Sequence, residues 1–228
     1  MLVSIAIFAA TELTPEAVRG KQIVEVGSSE YGLRSLLTHW GPARYVGVDI
    51  SPGPGVDVVC PAEQAADRLG RDSFDLVICT ETLEHIQDWR AAVRNLKALC
   101  RQGGLLLVTA PSRGYPYHGA PFDYWRYELD DLRAIFDDCE VVAIQRDPVR
   151  GGSLLLARKP SGFRERDVSQ VALFSIIHGQ RRRSIEEKDL HSLRFYRVSL
   201  GAEFRHGVGE LLHPFIRRVV RKKRIEDR

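Results

Sequence analysis

The sequence lacks a paired-cysteine motif: its four cysteines, Cys60, Cys79, Cys100 and Cys139, stand far apart and no two form a C-x-x-C. That spacing argues against a zinc ribbon, a thioredoxin-type redox pair and a disulfide framework, and leaves buried reduced thiols as the reading. Also lacking is any apolar run near the roughly 20 residues that a spanning helix needs. The apolar opening 1–10 carries no basic n-region, so neither a secretory leader nor a transmembrane segment is expected, and a cytoplasmic location is the expectation. No internal repeat and no low-complexity tract appears, which excludes solenoid and propeller arrays. Missing too is a Gly-x-Gly-x-x-Gly, which weakens a nicotinamide dinucleotide reading.

What remains is an ordinary composition for one α/β domain with an appendage: 228 residues, 44% hydrophobic, net charge +3. That net value hides an asymmetry. Residues 161–228 carry 16 Lys+Arg against 9 Asp+Glu, while residues 1–160 carry 17 against 21. A basic segment of +7 beside a body of −4 expects an anionic surface as partner, or packing on the acidic body of its own chain or of a homodimer mate.

Read in order, short β-branched runs predict strands over 22–26, 45–49, 56–60, 74–79, 105–109, 139–145 and 153–158. Helical patterns fall between them over 33–40, 62–69, 89–100 and 129–136. A further short helix lies within 4–20, where Thr14-Pro15-Glu16 fits a cap followed by a first-turn proline. Gln102-Gly103-Gly104 reads as a turn. The link 147–152 is too short for a crossover helix, so the last two strands should pair antiparallel. Strand and helix alternating and ending in a hairpin predict an α/β fold, a doubly wound Rossmann-like sheet of seven strands with one antiparallel member near the C-terminal end. Beyond 160 the strand pattern stops and helices are expected over 168–178, 191–200 and 208–224. The division is a domain at 1–159 and a basic helical extension at 160–228.

The stretch Ile23-Val24-Glu25-Val26-Gly27-Ser28-Ser29-Glu30-Tyr31-Gly32 reads as a buried strand, a small-residue turn and the start of a helix, the cradle of a nucleotide-type cofactor. One helix later Asp49 closes the second strand, where an acid can accept both hydroxyls of a ribose. Together with Ser73-Phe74-Asp75-Leu76-Val77-Ile78 leading into Glu81-Thr82-Leu83-Glu84-His85-Ile86, and with Gln102-Gly103-Gly104-Leu105-Leu106-Leu107, these motifs resemble the class I S-adenosylmethionine-dependent methyltransferases over residues 20–158. Most similar is the bacterial small-molecule and sugar branch, whose loop after strand five carries a His before Phe-Asp-Tyr-Trp-Arg; here these are His118 and Phe122-Asp123-Tyr124-Trp125-Arg126.

The resemblance implies S-adenosylmethionine as cofactor, held by Glu25 near its amino-acid end, by Gly27, Ser28, Ser29 and Gly32 along the turn, by Asp49 at the ribose and by Ile50 against the adenine. Ala62, Glu63 and Thr80 complete the implied cofactor set. The family's Gly-x-Gly-x-Gly is Gly27-Ser28-Ser29-Glu30-Tyr31 here, with Gly32 one place late, so this turn is shaped differently.

Methyl transfer is an in-line displacement, and a hydroxyl acceptor must also lose a proton. Glu81 and His85, four apart, are expected on one face of a helix after strand four, with His85 as base. His118 and Asp123 are alternative bases, or with Glu81 could hold a divalent ion such as magnesium. Tyr115, Tyr117, Tyr124 and Trp125 suit a lid that stacks on a sugar or ring, or else anchor a long loop. The expected activity is O-methylation of a sugar, glycoside or related small metabolite. N- or carboxyl methylation, a non-catalytic cofactor binder and a nicotinamide oxidoreductase stand as alternatives. A nucleic acid acceptor is not expected, because Thr80-Glu81-Thr82 stands where base-amine methyltransferases carry Asn/Asp-Pro-Pro-aromatic.

Overall fold

The computed structural model describes residues 3–29, 32–119, 122–193 and 195–197. The strands in chain order are β1 (Gln22–Val26), β2 (Arg44–Asp49), β3 (Val58–Val59), β4 (Phe74–Thr80), β5 (Cys100–Pro111), β6 (Trp125–Arg126), β7 (Glu140–Arg146), β8 (Gly152–Arg158), β9 (Leu173–Ser175) and β10 (Gln180–Arg182). The helices are α1 (Val3–Glu12), α2 (Pro15–Val18), α3 (Arg34–Leu37), α4 (Ala65–Leu69), α5 (Trp89–Leu99) and α6 (Leu129–Ile135).

Seven strands form one sheet in the order β3-β2-β1-β4-β5-β8-β7. β1 pairs parallel with β2 and with β4, and β8 runs antiparallel between β5 and β7, as the short 147–152 link requires. Alternation of side chains splits the core into two faces. Ile23, Leu76, Ile78, Leu105, Leu107 and Leu156 meet Ile5, Phe8 and Leu37 on one side. Val24, Val77, Cys79, Leu106 and Val108 meet Trp89, Val93 and Leu96 on the other. α5 forms because Asp88 caps it, accepting from the Ala91 amide, and because Ala92, Val93, Leu96 and Leu99 recur at the spacing of one helix face.

The strand order reverses between β1 and β4, and the crevice at the carboxyl ends flanking such a switch is where open α/β sheets bind ligands. Residues 27, 49, 80–81 and 111 end their strands on that one edge.

Two expectations are corrected. Gln102-Gly103-Gly104 is not a turn between helix and strand: β5 runs on from Cys100, with Gly103 at φ 78° inside a register shift against β4. Residues 168–178 are not a helix. β9 instead pairs with β6, Ser175 opposite Trp125 and Phe174 opposite Arg126, and turns back through Gly179 at φ 63° into β10. Arg90 of α5 reinforces this by donating to the Val168, Val171 and Arg183 carbonyls, so tertiary partners override a helical pattern. Residues 160–193 therefore return to the body, and Leu173, Ile177 and Ile185 are buried in the α5-side core. Within 191–200, a 3-10 turn over Glu187–His191 enters the range and a short helical stretch follows it. The expected helix over 208–224 lies outside the described residues.

Candidate active site

The cradle is built by close approach. Gly27 has φ 80°, and a Cβ there would sit 1.9 Å from the Thr82 hydroxyl, so neither the backbone nor the space admits another residue. Gly32 is explained by Glu25: a Cβ on it would lie 2.5 Å from a Glu25 carboxylate oxygen. That carboxylate is fully buried and accepts from the Leu33 amide at 2.6 Å and the Tyr45 hydroxyl at 2.7 Å. Burial pushes its acid up despite these donors. Both oxygens serve the turn, holding the start of α3 from beneath.

Ser28 is buried and donates to the Gly55 carbonyl, while the Ser29 amide donates to Asp49 at 3.2 Å. Asp49 also accepts from Ser51, and Ile50 beside it is 71% exposed at the strand end. Ala62 is buried at the start of a 3-10 turn that includes Glu63, reached from β3 on the same side, and Thr80 closes β4 at 8% exposure. These residues do come to one edge. The position of residue 31 lies outside the described residues.

Across β4 the arrangement changes. Glu81 adopts φ 48°, so it is not on a helix face with His85; the chain turns left-handed there before a 3-10 turn over Leu83–His85. Its carboxylate accepts from the Thr109 hydroxyl at 3.0 Å. Burial first, then the neighbouring Glu84 carboxylate, raises its pKa.

Glu84, which the sequence reading passed over, is the centre. It is fully buried, and neither carboxylate oxygen accepts a hydrogen bond from any described residue. Two imidazoles face it, with His118 Nε2 at 3.5 Å and His85 Nε2 at 3.6 Å. The rings meet edge-on, with centroids 5.0 Å apart. Each ring is fixed from behind: His85 Nδ1 lies 2.6 Å from the Phe122 carbonyl, and His118 Nδ1 lies 2.9 Å from Asp123. An acceptor behind Nδ1 assigns the proton to that nitrogen and turns Nε2 toward Glu84.

Although burial pulls His118 down, the Asp123 and then the Glu84 carboxylate facing its two ring nitrogens raise it to about 10. It is an imidazolium at neutral pH and holds its proton, so it does not fit the base expected from sequence. Asp123 fails that role for the opposite reason. Burial pushes its carboxyl up, but Arg126 and His118 outweigh this and hold it at about 2. Arg126, itself 1% exposed, clamps both Asp123 oxygens and donates to the Tyr115 and Pro116 carbonyls, pinning the loop after β5. With its oxygens so engaged, Asp123 is no partner for a metal with Glu81.

The aromatic residues divide. Trp125 is fully buried and donates to the Ile86 and Gln87 carbonyls, and Tyr124 is 6% exposed, its amide donating to the Glu84 backbone carbonyl. Both are anchors rather than lid faces. Tyr115 and Tyr117 are half-buried; Tyr115 packs edge-on against His118, and Tyr117 against Phe195. A cleft of about 1100 Å³ opens elsewhere, beside α6 and the small sheet. Its Arg146 and Arg181 are neutralised by Glu128 and Asp131, and none of the expected site residues line it. Among the described residues no helix is long and apolar enough to cross a membrane.

The profile of the methyltransferase domain family matches residues 7–138. A ubiquinone biosynthesis O-methyltransferase of Parvibaculum lavamentivorans is 25% identical over 104 residues, 46% of this chain and 37% of that protein. A polyketide synthase of Burkholderia thailandensis is 30% identical over 150 residues, 54% of this chain and 7% of that protein. The chain spans well under half the length of either curated relative. Among solved structures, a 1,6-didemethyltoxoflavin N1-methyltransferase of Burkholderia thailandensis, with S-adenosylhomocysteine bound, superposes with a TM-score of 0.55. It is 19% identical and covers 69% of this chain and 77% of its own, a likeness of fold. With the seven-strand sheet, the glycine turn and the acid at the end of β2 in place, the match over more than half of the sequence shows that the chain belongs to the methyltransferase domain family, on the Rossmann-like fold of the S-adenosylmethionine-dependent enzymes.

Proposed function

We propose that the protein transfers a methyl group from S-adenosylmethionine to a hydroxyl of a sugar, glycoside or related small metabolite. The observation that carries this reading is the buried, unsatisfied Glu84 carboxylate with two imidazoles turned toward it, one edge away from the cofactor cradle. Burying a charge without hydrogen bonds is costly, and such a group earns its place by acting on a ligand. An amine acceptor arriving with its lone pair free needs no such centre; a hydroxyl does.

In this reading the backbone of Gly27, Ser28 and Ser29 receives the methionine part of the cofactor. Asp49 takes the ribose hydroxyls and the exposed Ile50 covers the adenine, whose edge meets Ala62 or Glu63. Thr80 lines the sulfonium side at the end of β4. Tyr115 and Tyr117 border the acceptor. With its Nδ1–H donating to the Phe122 carbonyl, His85 offers Nε2 as proton acceptor. The acceptor oxygen attacks the methyl carbon, the C–S electron pair returns to sulfur as a neutral thioether, and the hydroxyl proton passes to Nε2.

The test is transfer of labelled methyl from S-adenosylmethionine to matched panels of sugar hydroxyls, amines and carboxylates. Label on hydroxyl acceptors, lost in His85→Ala, is the expected result. Label on amines alone, with His85→Ala fully active, would replace this reading with N-methylation.

A further inference from the structure

We propose that Glu84, His85 and His118 form a binding site for a divalent cation that accepts mixed nitrogen and oxygen donors. One ligand atom from each of the three lies within 4.8 Å of the others. Glu84 Oε1 is 3.6 Å from His85 Nε2 and 3.5 Å from His118 Nε2. Three ligands each about 2.1 Å from one cation at tetrahedral angles stand about 3.4 Å apart, so the observed spacing already suits a shared ion.

The outer contacts fit the same purpose. A metal-bound imidazole is normally fixed by an acceptor behind its other nitrogen, and here Phe122 O and Asp123 supply one each. Asp123 is in turn held by the fully buried Arg126, giving a carboxylate–histidine pair oriented from the protein interior. Among the described residues the Glu84 carboxylate has no hydrogen-bond donor, and its Oε1 lies 3.5 and 3.6 Å from the two Nε2 atoms. Two histidines and one carboxylate select first-row divalent ions such as Mn²⁺ or Zn²⁺ and leave coordination positions open.

The consequence for catalysis rests on the O-methylation reading. A hydroxyl bound at an open position loses its proton more readily, and its oxygen then takes the methyl carbon as the C–S pair leaves to sulfur. The proton goes to solvent water: His118 releases its Nε2 proton to solvent as the cation binds, both Nε2 lone pairs are then ligands, and His85 acts as proton acceptor only in the cation-free protein.

The experiment uses the full chain, stripped with chelator and titrated with Mn²⁺, followed by electron paramagnetic resonance. One saturable Mn²⁺ per chain is expected, weakened at least tenfold in Glu84→Gln and in His118→Ala, with S-adenosylmethionine affinity retained as the control for folding. Should either variant fail to fold, pulsed resonance on Mn²⁺-loaded wild type reads the site directly, and coupling to imidazole ¹⁴N is the expected signal. Absence of saturable binding, binding unchanged in both variants, or a spectrum without ¹⁴N coupling would overturn the site. If Mn²⁺ binds with ¹⁴N coupling while no hydroxyl acceptor is methylated, the cation site stands and only the O-methylation reading fails.

Discussion

The two halves of the sheet's carboxyl edge treat buried charge in opposite ways. On the β1–β2 side Glu25 is as buried as Glu84, yet each of its oxygens has a donor within the chain, Leu33 and Tyr45. On the far side of β4, Glu84 has none among the described residues, and the His118 imidazolium lies 3.5 Å away. The first arrangement is closed by donors of its own chain; in the proposed reading the second is completed by a ligand or ion. The comparison teaches that burial of an acid says little by itself, and that the count of donors around it separates a structural group from a reactive one.

The largest effect that would break this contrast is expected at Arg126. Removing it in Arg126→Ala leaves Asp123 buried without its clamp, and losing one partner of such a pair costs about 3 to 5 kcal/mol. Urea denaturation should show that loss, together with lower turnover and little change in cofactor affinity. A stable, active Arg126→Ala protein would mean that the loop is held some other way. Next in size, Asp49→Ala should raise the S-adenosylmethionine dissociation constant at least tenfold by calorimetry, because charge-assisted bonds to a ribose contribute about 1.5 to 3 kcal/mol each. An unchanged constant would remove Asp49 from the cofactor side.

A smaller effect sharpens the acceptor side. The folded pKa of His118, about 10, lies above its unfolded value near 6.5. Its contribution to stability is therefore complete below about pH 6.5 and is lost as pH rises toward 10. Chelated wild type should lose stability across that window more steeply than His118→Gln; parallel pH profiles would show that the imidazolium is not held as described. The smallest change is expected for Ile50→Ser. The side chain is exposed and in the proposed reading covers the adenine, so cofactor affinity should fall two- to fivefold with the melting temperature unmoved, and a marked drop in melting temperature would show a packing role instead.

How much of this was legible in the sequence follows the same divide. The sheet and the cradle were readable because their signals are local: a β-branched run, a glycine at the strand end, an acid closing the next strand. The late Gly32 answers to the Glu25 carboxylate beneath it, a contact across seven residues that spacing alone does not reveal. The acceptor centre was not readable in this way. Four-residue spacing put Glu81 and His85 on one helix face, but a left-handed Glu81 turns the chain and brings Glu84 inward instead. The aromatic density of 115–125 said nothing of which rings face inward. Trp125 is an anchor because its acceptors, Ile86 and Gln87, lie nearly forty residues upstream. The 168–178 segment became strand rather than helix because β6, fifty residues earlier, offers it an edge.

The proposed division of labour between the two halves is tested most directly by measuring cofactor affinity and turnover together in Glu84→Gln. The expected result is an S-adenosylmethionine dissociation constant within twofold of wild type and methyl transfer to a hydroxyl acceptor reduced at least a hundredfold, the scale of a lost proton-transfer or ligand-activating group. Transfer at the wild-type rate, or a parallel loss of cofactor binding and turnover, would contradict a reactive centre at Glu84.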